Sequence, residues 1–254
     1  MIEICSIASG SNGNCYYVGN ETTAILVDAG LSGKQVLIRM EKRNLNPNKI
    51  KAIFISHEHN DHFRCAKTLS KKIGVPVYMN SITLNNSWKH HRPKDIILFE
   101  PGDVITIDDT LVHTFLKKHD AAEPCSFRIE YKGLNVGVFT DIGDPCENLK
   151  YHLNKCQALF LESNYDEKML WEGSYPYYLK KRIDSEYGHL SNIQARNLLK
   201  EHQHPDLQIL LLSHLSQENN SPEIALSVFD EFKEKFKIEV TNRYEVGEVF
   251  VIGR

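Results

Sequence analysis

The stretch Ser56-His57-Glu58-His59-Asn60-Asp61-His62 places four potential metal ligands within six residues. It follows residues 52–56, a short apolar run that predicts a buried strand. Neutral imidazole and carboxylate groups are ligands that Zn²⁺ and other first-row divalent ions accept in proteins. A loop that leaves a strand can direct alternate side chains toward one centre. The sequence therefore predicts that His57 and His59 bind one ion while Asp61 and His62 bind a second.

The alternative for this stretch is a polar surface loop that happens to contain histidines. The whole chain has only 12 histidines, and three of them fall within these six positions. Chance placement explains such clustering poorly, so the pattern favours a metal site.

Three further candidate ligands each follow a predicted strand. The candidates are His119, Asp141 and His214, and the strands before them are predicted at residues 111–116, 135–140 and 208–213. A lone histidine at a strand end is more often a hydrogen-bonded structural residue than a ligand. The three together support a shared site, because two ions need more ligands than one loop offers.

The composition is that of an ordinary globular protein. The 254 residues are 41% apolar and 25% charged, and the net charge of -3 gives no overall basic field to attract nucleic acid. The six cysteines form no CxxC pair, which favours reduced thiols. We see no secretory signal and no run of about 18 apolar residues, so we expect a cytoplasmic protein without a membrane span.

Short apolar runs alternate with amphipathic segments along the chain. Further strands are predicted at residues 2–8, 24–28, 75–79, 96–99, 104–107, 126–131, 158–162 and 249–252, and helices at residues 33–43, 191–202 and 222–235. Asp108-Asp109 and Lys132-Gly133 are turn signals between neighbouring strands. Apolar strands interleaved with helices predict sheets covered by helices, and no linker divides the chain. We therefore expect one α/β domain over residues 1–254.

These motifs together resemble the five successive motifs of the metallo-β-lactamase fold: Asp28 in Val27-Asp28-Ala29-Gly30, the loop at residues 57–62, His119, Asp141 and His214. The resemblance implies a four-layer αββα sandwich with two divalent metal ions at one edge, between the two sheets. It implies that His57, His59 and His119 hold the first ion. Asp61, His62 and His214 would hold the second, Asp141 would bridge both, and Asp28 would fix the orientation of a ligand. Zinc, manganese and iron are all compatible with these ligands.

Three segments are similar to the WalJ/YycJ-like branch of this fold. They are Ala8-Ser9-Gly10-Ser11-Asn12-Gly13-Asn14, Gly188-His189-Leu190-Ser191-Asn192 and residues 214–220. That branch is associated with metal-dependent degradation of DNA from 5′ ends. The resemblance therefore implies a DNA exonuclease acting 5′ to 3′, in which a water held by both ions is the nucleophile. Nucleic acid would be its partner.

The order of Glu162 and His189 is similar to that of the tRNA 3′-processing endonucleases. In those enzymes an acidic residue and a histidine assist phosphodiester cleavage. The resemblance implies that His189 stabilises the phosphate or protonates the leaving oxygen, that Glu162 orients His189, and that Asp61 also belongs to the catalytic set. The alternatives are a capping or salt-bridging role for Glu162 and a structural role for His189 at the start of a helix.

Residues 175–182 mix tyrosines with three consecutive cations. Bases stack on tyrosine and cations contact phosphates, so we predict that Tyr178, Lys180, Lys181 and Arg182 bind the substrate. The alternative is a helix with a buried tyrosine face and a solvated basic face. A second basic stretch, Ser87-Trp88-Lys89-His90-His91-Arg92, is more typical of an exposed loop than of a site.

Two other functions stay open on the residues alone. A small-molecule hydrolase acting on a thioester, lactone or cyclic phosphodiester would use the same metal-activated water. A domain in which metal is only structural is the third reading, although one structural zinc needs only four ligands. Glu162, His189 and the basic segment favour the nuclease.

Overall fold

The computed structural model describes residues 1–253, and the apolar runs of the first half of the chain form one seven-stranded sheet. Numbered in chain order, its strands are β1 (Ile2–Ala8), β2 (Cys15–Gly19), β3 (Ala24–Val27), β4 (Ile50–Phe54), β5 (Val77–Asn80), β6 (Ile96–Phe99) and β14 (Phe250–Ile252). Their order is β14-β1-β2-β3-β4-β5-β6. Strands β3 to β6 run parallel, so their carboxyl ends meet at the same edge.

The second half of the chain forms a matching sheet of seven strands. They are β7 (Val104–Ile107), β8 (Thr110–Leu116), β9 (Cys125–Tyr131), β10 (Leu134–Phe139), β11 (Ala158–Glu162), β12 (Ile209–Ser213) and β13 (Lys237–Val240). Their order is β13-β12-β11-β10-β9-β8-β7, and β10 to β13 run parallel. The predicted turns between β7 and β8 and between β9 and β10 are confirmed, with Asp108 and Lys132 in the left-handed region that such turns require.

Nine helices connect and cover the strands of the described part of the chain. They are α1 (Gly33–Lys42), α2 (Asn60–Phe63), α3 (Ala66–Ile73), α4 (Ser81–Asn86), α5 (Glu147–Leu153), α6 (Glu167–Glu172), α7 (Tyr177–Ile183), α8 (Asn192–His202) and α9 (Pro222–Val228). Ser191 caps α8 as predicted: its hydroxyl accepts from the Gln194 backbone, and the Gln194 side chain reaches back to the Ser191 N–H. None of these helices is long and apolar enough to cross a membrane.

Three apolar cores lie between four layers. The central core joins the inner faces of the two sheets, for example Ile4 and Phe54 from one and Phe127 and Phe160 from the other. Outer cores pack α1 and α3 on the first sheet and α5, α8 and α9 on the second. Fully buried strands such as β11 and β12 contact a core on each face, which explains their unbroken apolar sequence. The predicted αββα sandwich is confirmed.

Several predicted boundaries were wrong for local reasons. The strand predicted at residues 24–28 ends at Val27, because Asp28 adopts φ 66° and leaves the extended conformation. The helix predicted at residues 222–235 ends at Val228 and is followed by a 3-10 turn, Asp230–Phe232. This tighter turn brings the buried rings of Phe229 and Phe232, three residues apart, to the same side. Strands β2 and β13 and the helices α2 to α6 were not predicted, and α7 was considered only as the alternative for residues 175–182.

Candidate metal centre

The ligand loop leaves the carboxyl end of β4 and turns at once into the single helical turn α2. The backbone N–H groups of His62 and Phe63 donate to the carbonyl of His59 at 3.0 and 2.9 Å, which closes this turn. The turn returns Asp61 and His62 toward the strand ends instead of out to solvent. His57 and His62 are fully buried as a result.

One group of three histidine side chains brings its nitrogens together. His57 Nε2 lies 3.1 Å from His59 Nδ1, and the His119 ring is 5.0 and 5.2 Å from theirs. The candidate donor atoms of His57, His59 and His119 all lie within 4.8 Å of one another. Three imidazole nitrogens that converge on one point are a suitable ligand set for a divalent ion.

A second group lies beside the first and includes Asp61, His62 and His214. Asp61 Oδ2 is 3.3 Å from His62 Nε2 and 3.5 Å from His214 Nε2. Asp141 stands between the two groups: its carboxylate lies 3.2 Å from His62 Nε2, 3.6 Å from His214 Nε2 and 3.8 Å from His119 Nε2. The structure thus brings together all seven residues predicted as ligands, in the two sets and with the shared aspartate that the resemblance implied.

Three residues of the site follow their strands in a left-handed backbone conformation. Asp28, Asp141 and His214 have φ values of 66°, 56° and 56°. This conformation costs about 1 kcal/mol or more for a residue other than glycine, although Asp, Asn and His tolerate it best. It breaks the strand abruptly and turns the side chain along the sheet edge toward the other ligands. Stored strain of this kind is concentrated at functional sites in proteins.

The second ring nitrogen of four of the histidines has a polar partner. His57 Nδ1 lies 2.8 Å from Ser56 Oγ, and His119 Nδ1 lies 3.0 Å from the carbonyl of Gly188. His62 Nδ1 lies 2.7 Å from Asp28 Oδ2, and His214 Nδ1 lies 3.0 Å from Glu162 Oε1. Such contacts orient the ring and leave Nε2 for the centre, as in metal sites generally. Asp28 therefore lies where the resemblance placed it.

The donor set fits divalent cations. His119 Nε2 and Asp141 Oδ2 are buried and have no hydrogen-bond partner among residues 1–253. Burial lowers the pKa of His57 well below its usual value and that of His119 to about 3, which keeps both imidazoles in the neutral form that binds metal. Although burial opposes it, His214 and His62 hold the pKa of Asp141 well below its usual range. A bound cation would give these buried nitrogen and oxygen atoms a partner and would neutralise the ionised carboxylate.

Protons and metal ions compete for the second group of ligands. Burial acts to lower the pKa of both His62 and His214, but the carboxylates around them, Asp141 first, outweigh it. They raise the pKa of His62 well above its usual value and that of His214 to about 10. The same concentration of negative charge would stabilise a divalent cation. Metal binding here would therefore release protons.

Glu162 is buried at the end of β11 and holds several segments together. Its Oε1 accepts from the Asp141 N–H at 3.1 Å, and its Oε2 accepts from Ile142 and Leu190 at 2.8 and 3.0 Å. Oε1 also lies 3.0 Å from Nδ1 of His189. Against the cost of burial, His189 lowers the pKa of Glu162 to about 2. The predicted contact between Glu162 and His189 is present, and the contact with His214 was not predicted.

The predicted substrate-binding segment is only partly available to a ligand. The prediction was wrong for Lys180, which is buried because its Nζ donates to the carbonyls of Trp171 at 2.8 Å and Gly173 at 2.7 Å. Arg182 is engaged by the Asp120 carboxylate at 2.5 Å. Tyr178 is 74% exposed, so the alternative of a buried tyrosine face was also wrong. Tyr178 and Lys181, whose Nζ lies 5.7 Å from the Tyr177 ring, stay as candidates.

Sequence reasoning missed Asn14, which borders the second group of ligands. Its Nδ2 lies 3.0 Å from His62 Nε2 and 3.2 Å from Asp61 Oδ2, and its backbone N–H donates to the Asp61 carbonyl at 2.8 Å. Gly30 permits this close packing, because a Cβ there would lie 1.8 Å from the same carbonyl oxygen. The glycine-rich segment around Asn14 was the available signal, but it was used only for the family resemblance, and no role was predicted for Asn14 itself.

Sequence reasoning also missed the role of Lys117. This lysine is buried behind His119, and its Nζ donates to the carbonyl of Thr140 at 2.7 Å. The contact ties the end of β8 to the residue before Asp141 and places a positive charge near the Asp141 carboxylate. A lysine directly after an apolar strand gives no sequence signal that separates it from a solvated one.

Comparison with known proteins gives a consistent result. The sequence pattern of the metallo-beta-lactamase superfamily matches residues 8–213. The chain is 36% identical to exodeoxyribonuclease YycJ of Bacillus anthracis, over 97% of this chain and 92% of that protein. It is 32% identical to exodeoxyribonuclease WalJ of Streptococcus pneumoniae, over 86% and 83% of the two chains.

The fold has a solved counterpart. The crystal structure of the metallo-beta-lactamase fold protein YhfI from Bacillus subtilis matches with a TM-score of 0.72 over 98% of each chain, at 19% identity. At that identity the match supports the fold alone. With the family pattern and the two relatives, it confirms the resemblance found in the sequence: the chain belongs to the metallo-beta-lactamase superfamily.

Proposed function

We propose that this protein is a dinuclear metal-dependent phosphodiesterase that degrades DNA as an exonuclease in the 5′ to 3′ direction. The observation that carries the proposal is the convergence of His57, His59 and His119 beside Asp61, His62 and His214, with Asp141 between them. The relatives that match most of the chain are named exodeoxyribonucleases, which favours a nucleic acid substrate and DNA in particular.

The residues that would hold the two ions are the seven named above, and zinc or manganese suits them best. When bound, the ions would supply an activated water and neutralise charge on the phosphate. This chain contributes the geometry. Ser56, Asp28 and Glu162 fix the histidine rings. The helical turn α2 aims the carboxylate of Asp61 inward, and the left-handed backbone at Asp141 does the same for its carboxylate.

His189 is the chain's candidate for proton transfer. Its Nδ1 faces the ionised Glu162 at 3.0 Å, so a protonated His189 carries its second N–H on Nε2. The side chain is 18% exposed, unlike the buried ligands around it, so it can meet a substrate. When water replaces the leaving oxygen at phosphorus, that oxygen needs a proton, and His189 Nε2–H would donate it. Glu162 orients the ring for this transfer.

The cysteines bear on where this enzyme works. All six are free thiols in the structure. Burial raises the pKa of the Cys125 thiol to about 12, which keeps it in the unreactive protonated form. We propose a cytoplasmic enzyme, because thiols stay reduced in that compartment.

The test uses metal-loaded protein and linear DNA labelled at one end. We expect a 5′-labelled strand to release its label first as a mononucleotide, while a 3′-labelled strand shortens progressively. Asp61→Ala removes one carboxylate of the second group and should lower the rate by at least about 100-fold. Asp206→Ala is the matched control, because Asp206 is exposed and precedes β12 at the end opposite His214.

The outcomes separate the candidate functions. Parallel assays with a thioester, a lactone and a cyclic phosphodiester accompany the DNA assay, and elemental analysis reports the bound metal. Intact DNA together with rapid hydrolysis of one of these small substrates would replace the exonuclease proposal with a small-molecule hydrolase. Internal nicking of closed circular DNA would contradict the exonuclease assignment.

A further inference from the structure

The segment that follows the second ion's ligands has an unusual charge distribution. Residues 62–94 contain no aspartate or glutamate, although the whole chain has a net charge of -3. The segment has seven lysines and arginines: Arg64, Lys67, Lys71, Lys72, Lys89, Arg92 and Lys94. A strongly basic region within an acidic chain indicates a local binding surface for polyanions.

The fold gathers part of this charge on one face. Lys67 and Lys71 lie one helical turn apart on α3, and both are exposed. Together with Lys94 they line a groove of about 390 Å³ whose remaining walls come from Ser70, Gly74, Val75 and Asp95. Asp95 is the one carboxylate in its lining. We call Lys67, Lys71, Lys94 and the neighbouring Trp88 the α3 basic face.

The cations of this face have no carboxylate partners. Among residues 1–253, none of the seven basic residues in the segment forms an ion pair. By contrast, Lys118 contacts both Asp144 and Glu186 within 3.1 Å. Unpaired lysines on one face repel one another, and an anionic ligand would relieve this repulsion.

An exposed aromatic side chain lies two residues before His90, whose carbonyl is contacted by Lys67. Trp88 is 65% exposed and begins the 3-10 turn Lys89–His91. That turn packs on α3, because Lys67 Nζ donates to the His90 carbonyl at 3.3 Å. It also lies near α2, since the His91 ring is 6.5 Å from the ring of Phe63. An exposed tryptophan beside unpaired lysines is the combination that binds single-stranded nucleic acid.

The face also connects to the metal centre. Phe63 follows the ligand His62, and α3 begins three residues later. Helix α3 runs back along the first sheet, so the face leads away from the ligand loop toward Lys94, which precedes β6 at the opposite edge of the sheet. An eight-residue helix is about 12 Å long, which corresponds to a few nucleotides. We propose that the α3 basic face binds the single-stranded DNA backbone a few nucleotides away from the scissile phosphate, on the path that leads away from the metal centre, with Trp88 stacking on a base. This inference rests on the proposed function and adds the path of the strand.

The experiment measures binding of a fluorescent single-stranded 20-mer with phosphorothioate linkages to metal-loaded protein across a range of salt concentrations. In the triple variant Lys67→Glu, Lys71→Glu, Lys94→Glu, we expect Kd to rise at least about tenfold at 100 mM salt. The slope of log Kd against log salt should fall by about 2, because each single-strand phosphate contact contributes about 0.7. Trp88→Ala should raise Kd by about tenfold with little change in slope.

The matched control is Lys132→Glu, Lys233→Glu, Lys235→Glu, which changes the net charge equally. These exposed lysines lie before β10 and β13, at the opposite end of the second sheet from the ligands. The control should bind within about twofold of wild type. If both triple variants bound the 20-mer equally weakly, the effect would come from net charge alone, and the proposal would be overturned. Unchanged binding in the α3 variant would also overturn it and direct the search to an acidic protein partner.

Two further measurements keep the outcomes distinct. Thermal melting and metal content show whether the α3 triple variant is folded, and the double variant Lys67→Gln, Lys71→Gln replaces it if it is not. Cleavage of an unmodified 20-mer by wild type tests the proposed function separately. Binding through the α3 basic face without cleavage would contradict the exonuclease and leave this inference standing. Cleavage that is the same in wild type and in the α3 triple variant would support the exonuclease and contradict this inference.

Discussion

The two sheets supply the metal centre in different ways. The first sheet contributes four candidate ligands from a single loop after β4. The second contributes one residue at a time, from the ends of β8, β10 and β12. Each side also has one buried carboxylate that makes several contacts, Asp28 in the first and Glu162 in the second.

The difference lies in how widely each carboxylate acts. Asp28 accepts from the backbone and side chain of Ser56 and contacts His62, so its contacts stay within the ligand loop. Glu162 contacts His189 and His214 and accepts from three backbone N–H groups of other segments. Asp28 can orient the candidate ligands of one loop through contacts within that loop. Candidate ligands that come from separate strands need a side chain, here Glu162, that contacts several strands at once.

The largest expected effect compares the two aspartates of the centre. Asp61 contacts only the second group, while Asp141 lies within 4 Å of histidines of both. We expect Asp61→Asn to keep about one ion per chain and Asp141→Asn to keep fewer, with activity lowered about 1000-fold or more in the second case. Elemental analysis and the DNA assay check this. Equal metal loss in both variants would remove the central position that we assign to Asp141.

The next effect compares the two buried carboxylates directly. Asp28→Asn should weaken metal binding by about 10- to 100-fold through His62, and excess metal should restore kcat. Glu162→Gln should lower kcat by about 100-fold even at saturating metal, because it also releases His189. Titrating each variant with zinc or manganese separates the two. Full rescue of Glu162→Gln by metal would show that Glu162 acts only on ligand orientation.

The smallest effect concerns two hydroxyls, one that contacts a candidate ligand from the first sheet and one that contacts a candidate ligand from the second. Ser56 Oγ contacts Asp28 and His57, while Ser9 Oγ accepts from the His214 N–H at 2.8 Å. Each Ser→Ala change should lower the free energy of unfolding by about 1 kcal/mol, which lowers Tm by about 2–4 °C. Ser56→Ala should also weaken metal binding severalfold. Calorimetry with and without metal measures both, and a larger metal effect for Ser9→Ala would reverse the expected order.

What could be predicted from the sequence follows the same division. The candidate ligands in the loop are close together in the chain, so their spacing alone was enough to predict them. His119, Asp141 and His214 had only strand-end positions in their favour, and the family resemblance was needed to group them. Asn14 and Lys117 were missed because their roles depend on which segments pack together. Lys180 was assigned wrongly because a run of cations does not indicate which side chain turns inward.

The layers were predictable for a related reason. Fully apolar strands such as β11 and β12 indicated sheets covered by helices, and the motif order gave the sandwich. Helix α3 was missed because residues 66–73 have only a short amphipathic pattern, with Ala66 and Leu69 buried. The basic stretch at residues 87–92 was set aside as a loop, since its neighbours on α3 come from a separate part of the sequence.

The left-handed backbone at Asp28, Asp141 and His214 has a practical consequence for mutagenesis. Asparagine adopts that conformation nearly as readily as aspartate, so an amide in place of the acid changes charge and leaves the main chain where it was. Alanine or valine would remove the functional group and also favour an extended main chain, which would shift whatever follows the strand. Loss of activity in such a variant would mix two causes, and only the amide variants can attribute it to chemistry.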